Sequence, residues 1–182
     1  ALRCDTKVPD GKGGYEKRYR LDIVLDTASK TLDLLTQLTA SYDAFSYYGE
    51  GIVGIVVDQP ISTPSQIFGM NNTVKGSFGL NFKSLSEIPT VVEVSYNNAD
   101  KGFELDTIQV QDADALANSE PERSIKIRVF CTRTSQAIRA GRYALYVAKY
   151  INRTLTFKAS IAALLCQVGD RIDYSHDVPL WG

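Results

Sequence analysis

One histidine and three cysteines are the residues of this 182-residue chain that could first be suspected of catalysis. Because His176 is the single histidine, a metal site built from several histidines is excluded, and zinc would need cysteine or carboxylate ligands. Cys4 or Cys131 with His176 could be written as a nucleophile and its base, but the residues that frame such a pair in cysteine proteases are missing. We therefore expect His176 and Asp177 to lie in a turn after a strand. Cys4, Cys131 and Cys166 are expected to be reduced core thiols, with a disulfide as the alternative.

Acidic residues are dense at two places where a carboxylate pair could, in principle, cleave a glycosidic bond. These pairs are Asp112 with Asp114 and Asp170 with Asp173. Both pairs fall at turn or exposed-strand positions, where Asp is favoured for structural reasons. The sequence therefore predicts no catalytic, cofactor-binding or metal-binding residue, and we expect the protein not to be an enzyme.

Two glycine-containing segments are predicted to be turns. The segment Pro9–Gly14 lacks both glycine frames that cradle phosphates, so we expect a surface loop. Gly169 and Asp170 are predicted to form a structural turn, because Gly permits a backbone shape that other residues resist and Asp can bond neighbouring amides.

The charges of the chain nearly cancel. There are 20 basic and 21 acidic residues, a formal net charge of -1, so there is no overall basic field and no sequence-specific contact with nucleic acid is expected. Alternating basic residues could still form cationic stripes toward a partner or passing DNA, but nearby acids favour solvated strand faces. These stripes are Arg18 with Arg20 and Lys126 with Arg128.

Targeting and membrane signals are missing from the sequence. No run approaches the roughly 18 consecutive apolar residues of a membrane helix, and residues 1–20 carry charges where a signal peptide would be apolar. The chain begins at Ala1 without a methionine, so we expect it to be a fragment of a longer polypeptide.

A long helix over about 134–152 is the strongest structural prediction. Thr134 and Ser135 could cap its start with their hydroxyls. Small and apolar residues recur at helical spacing and predict a face that packs closely against a sheet or another helix. The small residues of this face are Ala137, Gly141, Ala144 and Ala148.

Three tyrosines of the same helix lie on the side opposite the small residues. With small residues on one side and aromatic residues on the other, the helix is expected to be buried on two sides. Tyrosine suits both the inside of a chain and an interface, since one end is apolar and the other can stay wet. Tyr143, Tyr146 and Tyr150 are therefore predicted to lie either in the intrachain core or in a subunit interface.

The remaining pattern predicts an α+β fold with mainly antiparallel strands and a second substantial helix at about 30–43, capped by Thr27 or Ser29. One lobe would comprise 1–70 and 124–182, and a mainly β insert lobe would comprise 71–123. The predicted strands and turns are a strand at 15–26, a hairpin around Gly49–Gly51, a turn at 65–68, a strand at 74–82, a hairpin from 91 to 110, a helical turn at 112–117, and strands at 124–130 and 155–161.

Several of these segments also carry a resemblance to a known family. The long helix, the strand T-L-T-F-K-A at 154–159 and the run Q-V-G-D-R-I-D-Y-S-H-D at 167–177 resemble the hub region of phage tail-tip attachment proteins, the host-specificity protein J family. The order of the upstream elements agrees, including G-S-F at 76–78 and V-V-E-V-S-Y at 91–96. The resemblance covers nearly the whole chain, and its motifs are structural.

The resemblance implies a structural role in a phage or prophage tail tip. In that family the hub assembles as a homotrimer, closes the tail tube, meets other tail-tip and tail-tube proteins, and helps in host attachment and DNA passage. The location implied is the virion, after assembly in the bacterial host cytoplasm. The family's fibronectin-like and receptor-contacting parts are not in this chain, so receptor binding is not expected of it. The alternative is a stand-alone carbohydrate- or protein-binding module without catalysis.

Overall fold

The structure is a computed structural model that describes residues 2–25, 30–49 and 51–177, apart from the side chains of Leu2 and Ala162. The α-helices of this part are Leu2–Asp5 (α1), Thr31–Ala40 (α2), Ala113–Ala117 (α3) and Thr134–Tyr150 (α4), and short 3-10 helices span Leu85–Glu87, Ala99–Lys101 and Ile161–Leu165. The strands are Lys7–Pro9 (β1), Tyr15–Lys17 (β2), Ala44–Gly49 (β3), Ile52–Val57 (β4), Gln66–Phe68 (β5), Gly79–Phe82 (β6), Val91–Asn98 (β7), Glu104–Gln111 (β8), Ser124–Arg128 (β9), Arg153–Thr156 (β10) and Ile172–Tyr174 (β11).

The α+β class is confirmed, as are its two substantial helices, α2 and α4. Among the described residues, four strand pairings are antiparallel, while β7–β9 and β5–β11 are parallel. The parallel pair β7–β9 exists because the chain crosses over through α3 before β9 begins, as parallel neighbours require.

The chain forms two compact units. The first comprises Ala1–Val57 and Ser84–Ile151, and the second comprises Asp58–Lys83 and Asn152–Gly182. This division differs from the predicted insert at 71–123, because β7 and β8 pack against α4 within the first unit. The mainly β insert lobe at 71–123 stays a prediction.

The core of the first unit lies between α4 and a three-stranded sheet in the order β8-β7-β9. Val92, Val94 and Tyr96 alternate along β7 and point into this core, as the period of two in a strand dictates. The Tyr96 hydroxyl lies 2.7 Å from Thr134 Oγ1, which satisfies its hydrogen bonding in the interior. The predicted hairpin of β7 with β8 is present, and so is the predicted helical turn, α3. Strand β7 is the central strand of the sheet.

The other hairpin of the first unit is a two-stranded ribbon, β3 with β4, that follows α2 and packs against it through β3. The Tyr47 ring covers the cross-strand Gly54, where a Cβ atom would lie 2.3 Å from the ring. Gly51 has a φ of +80°, which favours glycine. The hairpin is as predicted; Glu50 of its turn lies outside the described residues.

The predicted strand over 15–26 is wrong beyond Lys17. Residues 18–25 are not part of a sheet, because the side chain of Gln136 on α4 takes the place of a partner strand. Its Oε1 accepts from Arg20 N and its Nε2 donates to Arg20 O, both at 3.0 Å. Side-chain bonds of this kind cannot be read from the alternation of apolar residues. Asp26, and the predicted caps Thr27 and Ser29, lie outside the described residues.

Three strands of the second unit, β5, β6 and β10, differ from the predicted elements. Within the turn predicted at 65–68, Gln66–Phe68 form strand β5, which pairs in parallel with β11. The strand predicted at 74–82 begins only at Gly79, after a turn in which Gly76 has a φ of +76°. Because β6 begins there, its partner β10 ends at Thr156, and the predicted strand to Ile161 gives way to a 3-10 helix.

The predicted cap of the long helix is also wrong. Arg133 occupies the N-cap position without a side-chain cap bond, and the hydroxyls of Thr134 and Ser135 bind Tyr96 and Glu16 instead. These hydroxyls connect the helix to other elements, which explains why they do not close its own first turn.

Candidate assembly site

The outer face of α4 carries an exposed aromatic pair. Tyr146 and Tyr150 are 55% and 70% exposed, with ring centroids 6.0 Å apart, and Ile151 beside them is 57% exposed. Tyr143 is half-buried. The helix is thus buried on its small-residue face, where Ala137 and Gly141 lie, while the tyrosine face meets solvent.

A charged cluster holds α4 in place. Glu16 on β2 binds Arg133 Nη1 at 2.7 Å, Arg139 Nη1 at 2.8 Å and Ser135 Oγ at 2.5 Å. Burial opposes the charged form of Glu16, but the hydrogen bonds from Ser135 and Arg139 and the positive charges together outweigh it and lower the pKa. Sequence reasoning missed this cluster, since nothing local to Glu16 indicates partners more than 100 residues away.

The cavity beside this cluster, about 530 Å³, is electrically mixed. Its basic residues include Arg142 and Lys12, and its acids are Asp10, Glu16 and Asp100, of which Asp100 pairs with Lys12 at 3.2 Å. This arrangement offers no concentrated positive charge for an anionic ligand.

The acid pair Asp112 and Asp114 connects helix α3 to helix α4 through Lys149. Lys149 of α4 lies 2.9 Å from Asp112 Oδ2 and 2.7 Å from Asp114 Oδ2, and Asp112 also caps α3 by accepting from Asp114 N. The Lys149 bond is the main reason why the pKa of Asp112 is lowered. Both carboxylates are therefore held as partners of a lysine, an arrangement that stabilises the fold.

Replacing Asp112 with alanine is expected to lower the free energy of unfolding by about 1 kcal/mol, the typical cost of losing a helix cap. Because the pKa of Asp112 is lowered in the folded chain, its contribution is complete above the unfolded pKa and is lost as the pH falls through the folded one. Urea unfolding at neutral and acidic pH measures both effects. The difference in free energy of unfolding between wild type and Asp112→Ala should therefore shrink on acidification, and a difference that grows would contradict the prediction.

Cys131 and His176, the nucleophile and base that the sequence disfavours, fall in different units. Cys131 is buried in the core of the first unit, where burial raises the pKa of its thiol to about 11, while His176 belongs to the second. A raised thiol pKa disfavours the nucleophilic thiolate. The His176 ring packs against the Phe78 ring at a tilt, with 4.3 Å between the ring centroids, and its Nδ1 lies 3.1 Å from Asp177 Oδ1. His176 thus belongs to an aromatic cluster that also includes Tyr174.

The two predicted turns have suitable geometry. Gly169 has a φ of +96°, Asp170 N donates to Gln167 O, and Asp170 Oδ2 accepts from Gln167 N at 2.9 Å. In the loop 9–14, Asp10 accepts from the amides of Lys12 and Gly14. In both segments the hydrogen bonds join residues that are close together in the chain, as is typical of turns.

The two basic stripes are partly neutralised. Arg20 pairs with Asp22 at 2.9 Å, and Lys126 pairs with Glu93 at 3.3 Å. Within the described residues, no group of three or more His, Cys, Asp or Glu could hold a metal ion. Over the same residues, none of the helices combines the length and the apolar character that crossing a membrane demands.

The structure defines the chain as an α+β protein with an exposed tyrosine pair on α4. Comparison with known proteins gives its family. The chain belongs to the family described as putative phage tail protein, whose match covers residues 30–181.

Two relatives are tip attachment proteins J. That of Escherichia phage SECphi27 is 28% identical over 169 residues, and that of Escherichia phage SECphi4 is 26% identical over 164 residues. The matches cover 93% and 90% of this chain, which spans 14% of the length of each relative.

A solved structure shares the fold. A chain from the virion of a native gene transfer agent particle superposes with a TM-score of 0.58 at 18% identity, over 75% of this chain and 31% of that one. The likeness concerns the fold alone.

Proposed function

We propose that this chain is a structural part of the tip of a phage or prophage tail. In this role it belongs to the baseplate hub, helps to close the tail tube and positions the parts that attach to the host. The observation that carries the proposal is the match of 93% of the chain to a protein named for tip attachment. The location that follows is the virion, after assembly in the bacterial cytoplasm, and no catalytic role is part of the proposal.

Labelling of assembled particles tests this role. A small peptide tag at the exposed loop 9–14, detected with gold-coupled antibody in electron micrographs, is expected to mark the end of the tail distal to the head. Gold along the tube or on the head would contradict the proposal. The tag suits this loop because Gly11, Lys12 and Gly13 at its tip are exposed and insertions at loop tips are tolerated.

We further propose that the parent protein is a homotrimer and that Tyr143, Tyr146 and Tyr150 lie in a contact between its subunits or with other tail-tip and tail-tube proteins. Exposed aromatic side chains are common anchors of interfaces because they bury a large area for a small loss of conformational freedom. The exposure of Tyr146 and Tyr150 supports an interface over an intrachain core for this pair.

Replacing Tyr146 and Tyr150 together with lysine is expected to weaken association of the parent protein at least about tenfold, as loss of an aromatic anchor does. Light scattering of this chain and of a longer chain extended at both ends measures the mass, with a trimer expected for the longer one. The matched control is Tyr15→Lys, since Tyr15 is 74% exposed on β2. A trimer unchanged by the double substitution would contradict the tyrosine contact.

A second function is favoured by the same exposed tyrosines: a carbohydrate- or protein-binding module that acts alone. The mass measurement separates the two. If both chains remain monomeric at high concentration, the homotrimer is contradicted and the module becomes the better proposal.

A further inference from the structure

The exposed tyrosine face of α4 carries an unpaired positive charge. Arg142 lies four residues before Tyr146, so the two side chains share one side of the helix. Arg142 is exposed, and within the described chain its guanidinium forms neither an ion pair nor a hydrogen bond. Arg133 and Arg139, at the start of the helix, differ from it because both bind Glu16. The charge of Arg142 is therefore left without a counter-charge.

The other end of the same face carries an excess of negative charge. Lys149 binds both Asp112 and Asp114. Because two carboxylates share one ammonium group, one negative charge remains in excess where α3 meets α4. The Asp114 side chain is 77% exposed, so its carboxylate is open to a further partner. Tyr150 follows Lys149 directly, and aromatic and acidic groups therefore adjoin at this end.

These two charges do not neutralise each other within one chain. Seven residues of helix separate Arg142 from Lys149, which is about 10 Å along the axis. Asp114 binds Lys149 instead, at 2.7 Å. The face thus has a positive end, formed by Arg142 with Tyr146, and a negative end, formed by the Lys149 cluster with Tyr150.

Burial of the tyrosines in a contact sets a condition on the partner. A contact that covers Tyr146 also removes water from Arg142, and a guanidinium buried without a counter-charge is costly. The partner must therefore present a carboxylate beside an apolar surface. The negative end of a second copy has both features, because Tyr150 and Ile151 are 70% and 57% exposed next to the Asp114 cluster.

We propose that the positive end of the α4 face of one copy docks on the negative end of the next copy, with Arg142 paired to Asp114 and Tyr146 packed beside Tyr150. Because the two ends are different surfaces, the contact is head-to-tail, and such contacts close into a ring when the rotation allows. The inference rests on the proposed homotrimer with its tyrosine contact, and it adds the charge pair that orients the copies.

Charge reversal in the full tail protein tests this contact, with association measured by light scattering over a dilution series. Arg142→Glu alone and Asp114→Arg alone are each expected to weaken association at least about tenfold, because like charges would then face each other. Both changes in one chain are expected to restore the trimer to within about threefold of wild type, since the pair forms again with its charges exchanged.

The matched control combines Arg142→Glu with Glu104→Arg. Glu104 is also an exposed carboxylate without a partner in the described chain, and Phe103 and Leu105 beside it are 62% and 61% exposed. The control changes the net charge as the test pair does, and its association is expected to stay as weak as that of Arg142→Glu alone. Restoration by Glu104→Arg would overturn the pairing with Asp114.

A neutral double-mutant cycle decides the question if Asp114→Arg, which places a second cation beside Lys149, fails to fold. Arg142→Gln and Asp114→Asn remove one charge each, and Lys149 keeps Asp112 as a partner. If the two groups pair, the double variant is expected to associate no more weakly than the weaker single variant. Losses that multiply would show independent sites and overturn the pairing.

The outcomes separate this inference from the proposed function. If wild type is a trimer and the reversed pair fails to restore it, or restores a dimer, the contact is overturned while gold at the tail tip still supports the tail role. A trimer that neither single change weakens overturns the contact as well. A monomeric wild type contradicts the homotrimer and the contact together, and gold away from the tip contradicts the tail-tip role whatever the masses show.

Discussion

Replacing Gly141 with leucine is expected to lower the free energy of unfolding by about 3 kcal/mol, at the upper end of what overpacking a core costs. At this position the α4 backbone lies directly on the sheet. A Cβ atom would lie 2.7 Å from Val110 Cγ2 and 2.9 Å from Val94 Cγ2, closer than real contacts allow. Both valines are buried in the core, so neither can move away without displacing its neighbours.

Urea unfolding followed by circular dichroism measures this effect. Gly141→Ala is expected to fall between wild type and the leucine variant, because alanine gains about 1 kcal/mol of helix propensity while its methyl group meets the same valines. The control is Arg142→Leu, one residue along on the exposed side of α4, which should change stability by less than about 0.5 kcal/mol. A leucine variant as stable as this control would contradict the close approach of helix and sheet.

Replacing Glu16 with glutamine is expected to lower the free energy of unfolding by about 2 kcal/mol. Removal of one partner of a fully buried ion pair costs about 3–5 kcal/mol, and here partial exposure of the two arginines reduces the loss. Glutamine keeps the shape of the side chain but leaves Arg133 and Arg139 without a counter-charge. The change should loosen the start of α4 from β2, because both arginines lie in the first two turns of that helix or just before it.

The loss of stability in Glu16→Gln is expected to depend on pH. Because the pKa of Glu16 is lowered in the folded chain, the charge contributes its full stabilisation above the unfolded pKa, near 4.5, and loses it as the pH falls through the folded pKa. The gap between wild type and Glu16→Gln should therefore narrow as the pH falls below about 4.5.

The control for this variant is Glu104→Gln, an exposed glutamate on β8. It should be close to wild type in stability at neutral pH. If Glu16→Gln matches Glu104→Gln at neutral pH, the cluster of Glu16 with the two arginines does not contribute to holding α4.

Periodicity by itself determined the parts of this protein whose partners are close in the chain. The helices α2 and α4 repeat apolar residues at three and four positions, and the hairpins β3–β4 and β7–β8 join neighbouring strands through short turns, so local sequence was sufficient. The resemblance carried by the same elements predicted a phage tail-tip protein. The match of residues 30–181 to a family of putative phage tail proteins and the two tip attachment relatives bear this out.

The hydrogen bonds between residues that are far apart in the sequence could be known only from the tertiary structure. An alternating segment becomes a strand only if another backbone pairs with it, and at Arg20 the side chain of Gln136 takes that place. In the same way, Thr134 and Ser135 have the chemistry of caps, but Tyr96 and Glu16 lie close enough to bind them instead. Which hydrogen bond forms depends on the distance between atoms that folding brings together. The order of residues along the chain does not give this distance. For this reason the sequence located the tyrosines of α4, and only the packed fold placed Tyr146 and Tyr150 at the surface.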